Sequence, residues 1–132
     1  MDKCEVEWIS ATGLKKIQSE RLKNLVRYVA EKVPFYNNLF KAKKIDVNKI
    51  SSVDDLKFLP FTVKSDLRDH YPFSLFAVPL SEVLEIHASS GTTGKLTVVG
   101  YTKNDIKLWS EVMARSLLCA GVVKGDIIHN AY

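Results

Sequence analysis

Residues 89–95, with the sequence SSGTTGK, place four hydroxyl side chains, two glycines and a lysine within seven positions. Gly91 and Gly94 allow positive φ angles and let backbone amides approach a ligand closely, while Lys95 supplies a positive charge. The serine and threonine hydroxyls add hydrogen-bond donors. This combination suits a polyphosphate, although a glycine-rich hairpin turn with solvated hydroxyls has the same composition. The residue types alone leave both interpretations open.

The segment matches neither of two common phosphate-binding motifs. The pattern G-x-x-x-x-G-K-[ST] requires glycine where Ser89 stands and serine or threonine where Leu96 stands, and G-x-G-x-x-G is absent. β-type residues lie on both sides, so the segment is predicted to link two strands. Such a loop cannot use a helix N-terminus to bind phosphate and must rely on its own amides, hydroxyls and lysine.

Other side chains with reactive chemistry give weaker signals. His87 precedes the loop on a predicted strand, where it either approaches a nucleotide or packs like an ordinary histidine. Cys4 and Cys119 lie far apart outside any CxxC spacing, and neither His70 nor His129 has a carboxylate or thiol at metal-ligand spacing. We therefore predict no metal site and no catalytic residue in this chain.

Residues 1–80 are predicted to be mainly helical. Apolar residues at helical spacing predict a helix from Leu14 to Lys32, and Pro34 permits a second, shorter helix after it. Further short helices are predicted from candidate caps, which are Ser52 with Asp55, and Thr62 or Ser65.

Residues 81–132 are predicted to form a strand, the phosphate loop, a strand, a helix and a further strand, so the fold class is α/β. Thr102 followed by Asp105 predicts the start of the helix, and Gly121 predicts its end. One face of this helix is apolar, and Trp109 and Met113 on it are assigned to the core. The members of the face are Ile106, Trp109, Met113, Leu117 and Ala120. The run IIHNAY at residues 127–132 predicts the last strand.

The composition is that of an ordinary soluble globular domain. Of 132 residues, 46% are hydrophobic and 26% charged, and the net charge of +4 comes without a sustained basic block. This charge weakly favours anionic ligands, although a small positive charge more commonly belongs to a solvated surface. No nucleic-acid partner is predicted. The first residues lack a signal-peptide pattern and FSLFAVPL is too short to cross a bilayer, so no membrane partner is predicted either. With only two cysteines, the protein is predicted to be cytoplasmic.

SSGTTGK resembles the phosphate-binding motif of the AMP-forming adenylating enzymes, the acyl-CoA synthetase superfamily. Three longer blocks are similar in order and spacing to the phenylacetate-CoA ligase branch, namely RLKNLVRYVAEKVPFY, LKFLPFTVKSDLRDHYPFSLFAVP and IHASSGTTGK followed by TVVGYTKNDI. The resemblance covers nearly the whole chain and implies part of the large amino-terminal domain of an adenylate-forming enzyme. In such enzymes ATP and a carboxylic acid form an acyl-adenylate and pyrophosphate, and CoA then displaces AMP.

The resemblance also implies the ligands and the site. The residues that would surround the β- and γ-phosphates of ATP are Ser89, Ser90, Gly91, Thr92, Thr93, Gly94 and Lys95. CoA, Mg²⁺ and a carboxylic acid such as phenylacetate are the other implied ligands. Leu96 replaces the proline usual in the family and is expected to leave Lys95 more mobile. Glu85 stands where a basic residue is expected in close relatives.

The blocks correspond only to the opening part of such a ligase. We therefore expect an amino-terminal fragment that is inactive by itself and prone to self-association. Two alternatives stay open. The first is a relative that passes the acyl group to an amine or hydroxyl instead of CoA, and the second is a catalytically inactive, stand-alone binding or scaffold module.

Overall fold

The computed structural model describes residues 8–89 and 96–129, which divide into two compact units. Helices form most of the first unit, and a two-stranded antiparallel sheet and one long helix dominate the remainder, in agreement with the predicted class. No helix in these ranges is both long and apolar enough to span a membrane. Of the described residues, the first unit contains 8–78, 88–89 and 96–98, and the second contains 79–87 and 99–129.

The first unit is built on two consecutive helices, α1 (Ala11–Lys32) and α2 (Pro34–Ala42). Ser10 caps α1, because its Oγ accepts a hydrogen bond at 3.2 Å from the amide three residues further on. Pro34 occupies the first turn of α2, where its missing N–H leaves no helical bond unmade. Both predicted helices are confirmed, and the capping serine sets the start of α1 earlier than the apolar pattern indicated.

A small hydrophobic core forms where α1 and α2 meet the segment that follows them. Val26, Phe40 and Ile50 are buried together, and Val33 is buried at the junction of the two helices. The side chains packed around this core are partly buried, and they are Leu22, Val29, Ala30, Tyr36, Ile45, Val47 and Leu59. This core therefore joins α1, α2 and the segment that follows α2.

Two short 3-10 helices, Val47–Lys49 and Val53–Phe58, follow α2. The second begins at the predicted capping box, where the Asp55 carboxylate accepts hydrogen bonds from the amides of Ser51 and Ser52, both at 2.9 Å. Because these bonds favour the ionised carboxylate, they hold the pKa of Asp55 below its ordinary value. The predicted capping box is confirmed.

The next helix, α3 (Lys64–Asp69), begins differently from the prediction. Neither Thr62 nor Ser65 caps it. Instead, Asp66 Oδ2 accepts a hydrogen bond at 2.8 Å from the amide of Val63, the residue before the helix. A carboxylate in the first turn can reach back to that amide, so the short helix is present without a hydroxyl cap and the predicted caps were wrong.

Two neighbouring strands, β1 (Val83–Ser89) and β2 (Thr97–Thr102), lead into α4 (Lys103–Cys119). A 3-10 turn at Leu80–Glu82 precedes β1. Thr102 caps α4, because its Oγ1 accepts a hydrogen bond at 3.3 Å from the amide of Asp105. In return, the Asp105 carboxylate accepts a hydrogen bond at 2.8 Å from the amide of Thr102. Both predicted strands and the predicted helix start are confirmed.

Gly121 follows α4 with a φ of +86°, a left-handed conformation that favours glycine. The helix therefore ends where the sequence predicted. The strand predicted from residue 127 is not observed, because residues 126–129 have no regular secondary structure and the described sheet contains only β1 and β2. A strand needs a hydrogen-bonded neighbour, and an apolar run does not supply one. Residues 130–132 lie outside the described residues.

We predict that Phe40→Ala destabilises the first unit by about 3–5 kcal/mol, because it removes a buried aromatic side chain and leaves a cavity. Phe61→Ala is the matched control, since Phe61 is 98% exposed whereas Phe40 is 6% exposed. Urea unfolding followed by circular dichroism compares the two variants with the parent chain. Equal destabilisation by both substitutions would contradict this description of the core.

Asp55→Asn should lower the midpoint of thermal unfolding at neutral pH, and the loss should shrink on acidification. Because the folded-state pKa is depressed, the carboxylate stabilises the fold above its unfolded pKa of 3.8. This stability is lost as the pH falls through the lower, folded-state pKa. Asp69→Asn, at the end of α3, is the control. A difference between parent and Asp55→Asn that does not change with pH would refute the prediction.

Candidate functional site

The SSGTTGK segment joins the end of one strand to the start of its neighbour. β1 ends at Ser89 and β2 begins at Thr97, and the two strands pair. Ser89, the first of the seven predicted phosphate-binding residues, is exposed at its strand end. The strand-to-strand connection is confirmed, and the roles of the seven side chains stay a prediction. Six of the seven lie outside the described residues, namely Ser90, Gly91, Thr92, Thr93, Gly94 and Lys95.

Three aromatic rings join the strands to α4. The imidazole of His87 on β1 lies edge-on to Tyr101 on β2 and to Trp109 on α4, with ring-centroid separations of 5.1 and 5.7 Å. Tyr101 and Trp109 stack on each other at 5.3 Å, with 25° between the ring planes. Separations of this size are favourable for aromatic pairs, which contribute about 0.5–1.5 kcal/mol each beyond their burial. His87 therefore has a packing role, one of the two left open by the sequence.

Glu85 orients the same imidazole. Its Oε2 lies 3.2 Å from His87 Nε2, so the tautomer with hydrogen on Nε2 donates to the carboxylate. Residues two apart on a strand point to the same face, which is why the two side chains meet. Both are partly exposed, so their contact orients the ring more than it stabilises the fold. The acidic residue at position 85 thus has a local partner.

The assignment of Trp109 and Met113 to the core was wrong for the described residues. Trp109 is 41% exposed and Met113 is 49% exposed, and α4 has no buried residue. Helical periodicity identifies an apolar face but not what covers it. Sequence analysis also missed Tyr101, although an aromatic residue on each side of a short loop between strands is the signal of a cross-strand pair.

A shallow groove of about 450 Å³ lies between β2 and α4. Apolar side chains dominate it, and Leu108 and Val112 on α4 are more than half exposed. Asp105 is its one charged lining residue, and a carboxylate repels phosphate. The groove therefore does not fit the predicted phosphate site. Its lining residues are Val99, Gly100, Tyr101, Asp105, Leu108, Trp109 and Val112.

No group of three or more His, Cys, Asp or Glu side chains that could hold a metal ion occurs within residues 8–89 and 96–129. The His70 side chain makes contacts within the protein. Its Nδ1 lies 2.8 Å from the backbone oxygen of Asp66, and its ring packs edge-on against Phe35 at 4.7 Å.

Sequence comparison finds relatives over almost the whole chain. A protein of Thermus thermophilus named phenylacetate-coenzyme A ligase is 56% identical over 128 residues, which are 97% of this chain and 29% of that protein. Proteins of the same name from Aromatoleum evansii and Escherichia coli are 50% and 48% identical over 127 residues, 96% of this chain. The chain spans 29% of the length of these curated relatives. No family profile matches it.

Structural comparison leads to the same class of protein. A crystal structure of 2-hydroxyisobutyryl-CoA ligase with 2-HIB-AMP and CoA aligns with a TM-score of 0.83 at 30% identity, over 89% of this chain and 26% of that chain. A second crystal structure of that ligase, in the postadenylation state with 2-HIB-AMP, aligns over the same shares with a TM-score of 0.80 at 27% identity.

The fold and the position of the SSGTTGK segment, together with these neighbours, define the class as the adenylate-forming CoA ligases. Within this class, four curated relatives at 46–56% identity share one name. The chain is thus similar over 96% of its length to the amino-terminal 29% of phenylacetate-CoA ligases, and the resemblance predicted from the sequence blocks is confirmed.

Proposed function

We propose that this chain supplies the ATP phosphate-binding loop of an AMP-forming ligase that joins phenylacetate, or a similar carboxylic acid, to CoA. The reaction converts the acid, ATP and CoA into acyl-CoA, AMP and pyrophosphate. The observation that carries the proposal is SSGTTGK between two paired strands, in a chain 56% identical to a phenylacetate-coenzyme A ligase. Since the chain spans 29% of that relative, we place the adenine, acid and CoA sites in further polypeptide.

The proposed chemistry activates a carboxylate, whose oxygen is otherwise a poor leaving group. A carboxylate oxygen attacks the α-phosphorus of ATP, and the bond from that phosphorus to pyrophosphate breaks. The CoA thiolate then attacks the acyl carbon, and AMP leaves with the electron pair of the carbon–oxygen bond. Negative charge grows on pyrophosphate during the first step, so donors around the β- and γ-phosphates stabilise its transition state.

We propose that the loop performs this electrostatic task without transferring a proton. Three kinds of group contribute, because backbone amides, hydroxyls and an ammonium group all donate to phosphate oxygens. The exposure of Ser89 at the end of β1 supports its share. We assign the hydroxyls to Ser89, Ser90, Thr92 and Thr93, the amides to the backbone around Gly91 and Gly94, and the charge to Lys95.

CoA as the acceptor rests on the names of the relatives and on the CoA present in the 2-hydroxyisobutyryl-CoA ligase structure. Magnesium enters the proposal as a partner of ATP, and we assign it no residue, because the described part of the chain offers no ligand cluster. We infer that the ligase acts in the cytoplasm, where ATP and CoA are available.

In the whole ligase, Lys95→Ala should lower acid-dependent pyrophosphate release by roughly ten- to a thousandfold, because it removes a positive charge beside a developing anion. Lys103→Ala is the matched control, since Lys103 is an exposed lysine at the start of α4, outside the loop. An enzyme-coupled assay of pyrophosphate measures both variants with a set of carboxylic acids. Equal rates in Lys95→Ala and the parent would remove Lys95 from the proposed site.

For the 132-residue chain by itself, we predict no ligase activity and a dissociation constant for ATP above about 1 mM, or less than about 4 kcal/mol of binding free energy. The loop contacts only the phosphates and loses conformational freedom on binding. Sheet edges and the exposed side chains of Leu108, Leu118 and Ile127 should also cause self-association.

Calorimetric titration with ATP and sedimentation velocity test both parts of this prediction. A monomer that binds ATP at micromolar concentration would contradict it. That result would favour the alternative of a stand-alone nucleotide-binding module.

A further inference from the structure

We propose that His87 is a positioning residue for Ser89: its imidazole holds β1 against α4 and thereby fixes the strand end from which the phosphate loop departs. The inference rests on the proposed function, because it assigns His87 a part in binding ATP without contact with the nucleotide. Four described side chains carry it, and they are Glu85, His87, Tyr101 and Trp109.

A sheet of only two strands is marginally stable in water, so β1 and β2 need contacts outside the sheet to keep one position. β2 continues directly into α4, and the Thr102 capping box fixes that junction. β1 is not continuous with the helix in sequence, because β2 lies between them along the chain. The edge-on contact between His87 and Trp109 joins β1 to α4 across 5.7 Å.

The rest of the junction with α4 is loosely packed. The groove between β2 and α4 is open, and Leu108 and Val112 leave more than half of their surface uncovered. Loss of the imidazole would remove the contacts of His87 with Tyr101 and Trp109 and leave the contacts made by β2, among them the Tyr101–Trp109 stack and the Thr102 cap. Ser89 lies two residues after His87 on the same strand, so we expect loss of the His87 contacts to loosen its position.

The contacts of His87 indicate a packing role and not a chemical one. Its Nε2 is hydrogen-bonded to Glu85, and two aromatic rings lie against the imidazole. A phenyl ring at position 87 can keep both edge-on contacts while losing the hydrogen bond to Glu85. His87→Phe therefore separates the packing role from any role of the ring nitrogens.

The first test is steady-state kinetics of the whole ligase. His87→Ala should raise the KM for ATP about tenfold and leave the KM for the carboxylic acid unchanged, because only the ATP site loses its support. His87→Phe should restore the KM for ATP to within about twofold of the parent. Ile86→Ala is the matched control, because Ile86 is the neighbouring residue, points to the opposite face and is exposed.

An unchanged KM for ATP in His87→Ala would overturn the proposal. Equal impairment of His87→Phe and His87→Ala would overturn it as well, because the imidazole would then act through its nitrogens. A loss in Ile86→Ala as large as in His87→Ala would show that any change in β1 has this effect, and would also refute the specific role of His87.

The second test does not depend on ligase activity. In the 132-residue chain, backbone amides of β1 should exchange with deuterium about tenfold faster in His87→Ala, and at the parent rate in His87→Phe and Ile86→Ala. Unchanged exchange in α1 confirms that the first unit stays folded. If the parent ligase releases no pyrophosphate with any acid, the proposed function fails, and exchange alone decides whether His87 anchors β1. Parent-like exchange in His87→Ala would disprove the anchor.

Discussion

A two-stranded hairpin buries too little surface to hold its own position, and this constraint governs how the candidate site is built. Within residues 8–89 and 96–129 the sheet contains only β1 and β2, and the loop with the predicted ATP contacts connects them. The described residues on both sides of that loop are strands and not the start of a helix, so we expect its predicted binding groups to depend on where β1 and β2 place them. The Thr102 capping box and the rings of His87, Tyr101 and Trp109 join the strands to α4 and set that placement.

The first unit depends on a different kind of contact. Val26, Phe40 and Ile50 form a buried core between α1, α2 and the following segment, and its apolar side chains need no ligand to stay buried. By contrast, α4 has no buried residue although one of its faces is apolar. An uncovered apolar face of this kind supports the proposal that further polypeptide completes the ligase.

Features set by neighbouring residues could be predicted from the sequence, whereas features set by distant partners could not. The capping boxes at Ser52 and Thr102 are local hydrogen-bond patterns, and both are observed. The strand expected from residue 127 needs a neighbour that the sheet does not provide. The core assignment of Trp109 failed for the same reason, because burial depends on what lies opposite the helix. For the site, the motif and its two flanking strands were predictable, and the ring cluster behind Ser89 was not.

The measurement that tests the central claim most directly is the exchange of labelled pyrophosphate into ATP by the whole ligase, with phenylacetate present and CoA absent. If the chain belongs to an enzyme that forms an acyl-adenylate, the label enters ATP only when an acid is present, and CoA is not required. Exchange that does not depend on any carboxylic acid, or cleavage of ATP to ADP and phosphate, would contradict the account.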